Sequence, residues 1–163
     1  MSGEALRQLI AVLRRQADSL ESALALTEQQ TSAIARRDVE QVTALSLSLE
    51  RELVDGQVLE ERRMGFAGEL AAALGVEPQE TTLKTLANAL PRDEGRALLR
   101  AGDTVIRAVE RLARQSAANR ALLEHELAVI DQVVRIAHRG DRTTYGGRGT
   151  YAAETISLLD AKA

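Results

Sequence analysis

Apolar residues in this chain recur in steps of three and four over stretches too long for anything but helix. From Glu4 onward come Leu6, Leu9, Ile10, Leu13, Ala17, Leu20, Leu24 and, later, Ile34. At 3.6 residues per turn these share one face. The spacing predicts an amphipathic helix running to about Arg36, where Arg37-Asp38 interrupts it. Asp38 with Gln41 three residues on has the spacing of an N-cap and its capping-box partner, so a second helix starts there. Its inner side is expected to carry Val42, Leu45, Leu49, Leu53, Leu59, Met64, Leu70 and Leu74. Gly75 supplies a left-handed stop, and Pro78 prevents continuation. Gly56, Gly65 and Gly68 weaken the interior of this helix by roughly 1 kcal/mol each relative to alanine; they mark close packing or a bend.

Thr81 or Thr82 can cap a short third helix that turns Leu83, Leu86 and Leu90 inward and ends at Pro91. A fourth helix starts near Asp93 or Glu94 and runs to about His138. Leu98, Val105, Val109, Leu112, Leu123, Leu127, Ile130, Val134 and Ala137 form its expected inner face. At about 40 residues it would be roughly 60 Å long. The 112, 116, 119, 123 spacing puts Ser116 and Asn119 inside the seam. A polar residue there fixes register at some expense of stability; direct contact with a partner is the alternative use.

Three long helices joined by short links bury their stripes by lying antiparallel. The expected fold is therefore all-α: an elongated antiparallel helical bundle with coiled-coil-like packing, three long helices and one short helix that covers one end. The bundle is assigned to residues 1–138, and residues 139–163 to a flexible C-terminal tail.

Composition narrows the function. The chain has 163 residues, and 45% of them are apolar, mostly Leu, Ala and Val, with only three aromatic side chains. Acidic and basic groups nearly balance, 24 against 21. Phosphate binding needs a basic surplus, so nucleic acid is not the expected ligand. No apolar run approaches the roughly 20 residues that cross a bilayer, and the N-terminus lacks the pattern of a secretory signal; a cytoplasmic location without membrane insertion is expected. There is no cysteine. The Glu-x-x-His pairs of a di-metal bundle are missing, since His125 sits between Glu124 and Glu126 on different faces. Nucleophile-elbow and Walker sequences are missing too. No cofactor, metal or catalytic set is expected, and an enzyme is not.

The segment from Thr143 to Tyr151 concentrates what remains. Gly146, Gly147 and Gly149 give up backbone entropy on ordering, so the segment is not expected to be helical. It nevertheless carries Tyr145 and Tyr151, two of the three aromatics. A tyrosine outside any core is a large amphipathic contact group of the kind enriched at binding hot spots. Ile156, Leu158 and Leu159 follow as a short apolar cluster.

The order of motifs resembles a known family. It runs from the break Ala35-Arg36-Arg37-Asp38-Val39-Glu40 through Leu49-Glu50-Arg51-Glu52-Leu53 and Glu60-Glu61-Arg62-Arg63 to Thr82-Leu83-x-x-Leu86. Asn119-x-x-Leu122-Leu123, Thr144-Tyr145-Gly146-x-x-Gly149 and the closing Leu158-Leu159-Asp160-Ala161-Lys162-Ala163 complete it. This is similar to the FlgN family of flagellar type III export chaperones over nearly the whole chain. The resemblance implies a cytoplasmic chaperone that binds the C-terminal regions of the two hook–filament junction proteins. It would prevent their premature assembly and deliver them to the export gate. It also implies that Tyr145, within the frame of Gly146 and Gly149, docks on the cytoplasmic domain of the gate protein.

Cargo helices of this kind expose an apolar stripe, which a bundle can cover by helix-in-groove binding. Leu123, Leu127, Ile130 and Val134 are the groove candidates, although the same residues would serve as plain core. Ile156, Leu158 and Leu159 either fold over that groove or engage cargo. The competing reading is a structural or adaptor coiled-coil protein whose tail binds another scaffold.

Overall fold

A computed structural model describes the backbone of residues 2–144 and the side chains through Arg139. Four α-helices, Ser2–Ala35 (α1), Val39–Leu74 (α2), Leu83–Ala89 (α3) and Arg92–Thr144 (α4), account for most of these residues. A single 3-10 turn, Pro78–Glu80, lies between α2 and α3. No strand occurs among the described residues, and the all-α expectation is met. The described chain divides into two compact units, residues 1–123 and residues 124 onward.

The helix ends in the first unit follow local chemistry. At the end of α1 the Asp38 amide donates to the Ala33 carbonyl and the Arg37 amide to the Ile34 carbonyl, both at 2.9 Å. This is a Schellman closure, and it puts Arg37 at φ 58°, a conformation glycine adopts more cheaply. Asp38 then caps α2 by accepting from the Gln41 amide at 3.0 Å. Its own amide is already used by Ala33, so the helix start does not need the reciprocal half of a capping box. The end of α2 repeats the device with the expected residue. Gly75 takes φ 70°, while the Val76 amide donates to Ala71 and the Gly75 amide to Ala72. Thr82 and Thr85 form a full capping box at the start of α3.

Consecutive long helices run antiparallel. Along the α1–α2 seam Gln16 meets Glu60, Ser19 meets Glu52 and Gln30 meets Ser46, one number rising as the other falls. α4 returns beside α1 in the same direction, with Arg111 on Glu21 and Asn119 on Thr27. α3 lies where α1 begins. Leu6 and Leu9 of α1, Leu70 of α2, Leu86 of α3 with Leu90 just beyond it, and Leu98 of α4 form one buried cluster. Burying each such leucine stabilises the unit by about 1.5–3 kcal/mol.

Two glycines on α4 permit that convergence. A Cβ at Gly95 would stand 2.3 Å from the Ala87 carbonyl oxygen, and one at Gly102 would stand 2.7 Å from a Leu83 methyl. The α2 glycines behave otherwise. Gly56, Gly65 and Gly68 have nothing within 4 Å of an added Cβ, so close packing does not account for them.

Several inner-face assignments are corrected. Leu45, Leu59 and Leu70 of α2 are buried, but Leu53, 64% exposed, and Met64 are not. On α4, Leu98 is buried while Val109 is exposed, and Ser116 is exposed although Asn119 is buried. α4 continues past His138 and includes Thr143 and Thr144, because Gly140, Asp141 and Arg142 bring neither proline nor a glycine run to stop it. The glycine-rich segment and the rest of the tail, from residue 145, lie outside the described residues.

Contrasting glycine substitutions test this packing. Gly95→Ala is expected to lower unfolding free energy by about 1–3 kcal/mol, since a backbone carbonyl must move. Gly56→Ala is expected to raise it by up to about 1 kcal/mol through helix propensity alone. Urea denaturation of the two variants against the parent chain measures both.

Candidate functional site

Two apolar surfaces and one buried polar network distinguish this chain from a closed bundle. The network joins α1 to α4. Asn119 is 4% exposed, and its amide nitrogen donates to the Thr27 carbonyl at 2.8 Å and to the Gln30 side chain at 3.3 Å. Its amide oxygen accepts from the Thr31 hydroxyl at 2.5 Å, and Gln115 donates to that hydroxyl at 2.8 Å. Both ends of the Asn119 amide are therefore satisfied inside the seam. Any one-turn slip of α4 would leave them unpaired at about 1–3 kcal/mol per buried group. Asn119 thus fixes register, as the 112–119–123 spacing predicts, and is not a free contact group.

The first surface is a groove of about 440 Å³ within residues 1–123. α1 supplies its floor with Leu13, Leu20 and Ala23; α2 contributes Leu53 and Gly56, and α4 contributes Val105, Ile106, Val109 and Leu112. Its polar lining lies along the α1–α2 seam. The Ser19 hydroxyl donates to the Glu52 carboxylate at 2.9 Å. Gln16 Nε2 donates to Glu60 at 2.9 Å, and Arg63 grips the same carboxylate through two nitrogens at 2.8 and 2.6 Å. The Arg63 hydrogen bonds, helped by Gln16, hold the Glu60 carboxyl below its ordinary value despite partial burial.

The second surface is the part of α4 after Leu123. Between residues 124 and 139 only Glu126 and Val129 are partly covered, and the other side chains are exposed. Leu127 is 63% exposed, and Ile130, Val133, Val134 and Ile136 are exposed as well. Leu123, which precedes them in the first unit, is 38% exposed. The expectation that Leu123, Leu127, Ile130, Val134 and Ala137 form inner core is therefore overturned. Among the described residues nothing buries the 123–127–130–134 row.

A protein-family model described as FlgN protein matches residues 1–153. The chain belongs to the FlgN family. That family consists of flagellar export chaperones and is not known for catalysis. Comparison with curated proteins and with solved structures gives no match. Among the described residues there is no cluster of three or more metal-ligating side chains. Among them no helix is long and apolar enough to cross a membrane.

The structure exposes Leu127, Ile130 and Val134 along one helix, with Leu123 partly exposed before them. Tyr145, Gly146, Gly149, Ile156, Leu158 and Leu159 lie outside the described residues. Sequence reasoning missed the groove and the exposed Val133 and Ile136. One signal was available. Ile106 widens the apolar arc of α4 beyond the stripe that Leu98, Val105, Val109 and Leu112 form, and a surplus arc marks a second packing face.

The Glu60 cluster has a defined pH signature. A carboxyl held below its ordinary value contributes stability that is present above the unfolded value, near 4.5, and is lost as pH falls through the lowered one. The pair is only partly buried and solvent screens it, so the contribution is expected to be under about 1 kcal/mol. Glu60→Gln should flatten the acid limb of a stability–pH profile below that value and leave the neutral-to-basic limb parallel to the parent.

Proposed function

We propose that this chain is a cytoplasmic flagellar export chaperone for the hook–filament junction proteins. It binds their C-terminal helical regions, prevents premature assembly and delivers them to the type III export gate. The observation that carries the reading is the row Leu127, Ile130 and Val134, exposed at helical spacing on α4 in a member of the FlgN family. Exposed apolar stripes of this extent mark interaction surfaces. A cargo helix that packs against a neighbour in the finished filament brings a matching stripe, with anchors at i, i+3, i+4 and i+7.

In this reading Leu123, four residues before Leu127, is a further cargo contact. Ile156, Leu158 and Leu159 supply a further apolar cluster that either shields the row before cargo arrives or adds to the contact. Tyr145, framed by Gly146 and Gly149, is the docking handle for the cytoplasmic domain of the gate protein. The division of labour is physical. Apolar helix burial retains an aggregation-prone cargo, while one aromatic on glycine-rich chain gives a small contact that forms and breaks readily.

Two variants separate the roles. Leu127→Glu with Ile130→Glu places charge on the row and is expected to weaken junction-protein binding by at least about 100-fold, near 2.7 kcal/mol, with gate binding retained. Tyr145→Ala is expected to do the reverse. Calorimetry with purified partners reads both. Loss of cargo binding in Tyr145→Ala, with the double variant unaffected, would show that the surfaces are wrongly assigned.

A further inference from the structure

The groove in residues 1–123 is not used by the function proposed above. Its floor follows α1 from Leu13 to Ala23, about 15 Å or nearly three helical turns. That length suits the i, i+3, i+4, i+7 anchors of one docked helix. Gly56 leaves one wall without a side chain, and Leu53, Ile106 and Val109 stand exposed around the opening.

The polar lining says what the occupant carries. The Arg63 guanidinium neutralises Glu60, which leaves Glu52, held by the neutral Ser19 hydroxyl, as the unbalanced charge on the lining. Gln16 spends its amide nitrogen on Glu60, and its Oε1 is buried with no hydrogen-bond partner. Glu52, on α2, therefore carries the net charge of the lining, while the buried Gln16 oxygen, on α1, presents no acceptor to the opening. An acid-edged helix would set like charge against Glu52. A basic-edged one gains a charge-assisted hydrogen bond there.

We infer that this groove is a second docking site, taking one amphipathic helix of a partner protein that bears lysine or arginine along the edge facing α2. The site lies wholly within the first unit and stands whether or not the α4 row holds export cargo.

The test uses the full chain with labelled methyl groups and two synthetic peptides of about 18 residues, long enough to form helix on binding. Both carry leucine at the anchor spacing; one has lysine along the flanking edge, the other glutamate. The lysine peptide is expected to shift the Leu53, Ile106 and Val109 methyls and to bind at least about tenfold more tightly than the glutamate peptide. Gly56→Leu fills the groove where an added Cβ meets nothing within 4 Å; it should weaken the lysine peptide at least about tenfold while leaving helicity intact. Glu52→Gln, which leaves the groove open, should reduce the lysine preference to about twofold or less.

Equal affinity for the two peptides would overturn the proposal. So would unchanged binding by Gly56→Leu, or a lysine preference that survives Glu52→Gln. Groove methyls that shift on dilution of the free chain would assign the groove to a second copy. Nuclear Overhauser contacts from them to residues 145–163 would assign it to the chain's own C-terminal segment. Either result would contradict a partner helix.

Discussion

Everything in the first unit depends on the burial of α1 between two neighbours. Leu6, Leu9, Leu13, Leu24 and Ile34 are all buried; α2 runs along α1 antiparallel and α4 runs along it parallel. Leucine stripes supply the driving force without choosing a register, because one apolar turn substitutes for the next. Register comes from groups that cannot be exchanged. Gly95 admits the Ala87 carbonyl at one end, and Asn119 pairs with Thr27, Gln30 and Thr31 at the other. One of these is steric and the other polar, and both would be violated by a one-turn slip.

This division explains what the sequence made legible. Helix ends were readable because their chemistry is local. Asp38, Gly75 and Thr82 act within a few residues of themselves, and all three cap as their residue types require. The core at the α3 end was readable in the same way, since Leu70, Leu86 and Leu98 lie on unambiguous stripes. Arg37 is the instructive exception. Its left-handed backbone has no signature in an arginine and is imposed by the closure between two long helices.

Periodicity failed where it was asked to say what covers a stripe. Leu53, Val109, Leu127, Ile130 and Val134 have the same three- and four-residue spacing as buried leucines, yet they are exposed. Spacing reports which residues share a face, and burial requires a partner element that the helix itself does not specify. Under the proposals made above, these uncovered faces are the binding surfaces. The α4 row was expected to be inner core and is exposed; its use as a cargo surface is part of the function proposed above. Glycine shows a parallel ambiguity: at Gly95 it relieves contact with a carbonyl, whereas at Gly56 it leaves space, and the letter is identical.

The central claim is that the exposed row of α4 is a surface completed by another protein's helix. Hydrogen exchange of the full chain, alone and with a purified hook–filament junction protein, tests it most directly. The account predicts that amides of residues 124–139 exchange rapidly in the free chain beside those of α1, and that cargo slows them by at least about tenfold. A cargo complex in which those amides keep their free-state exchange would contradict it.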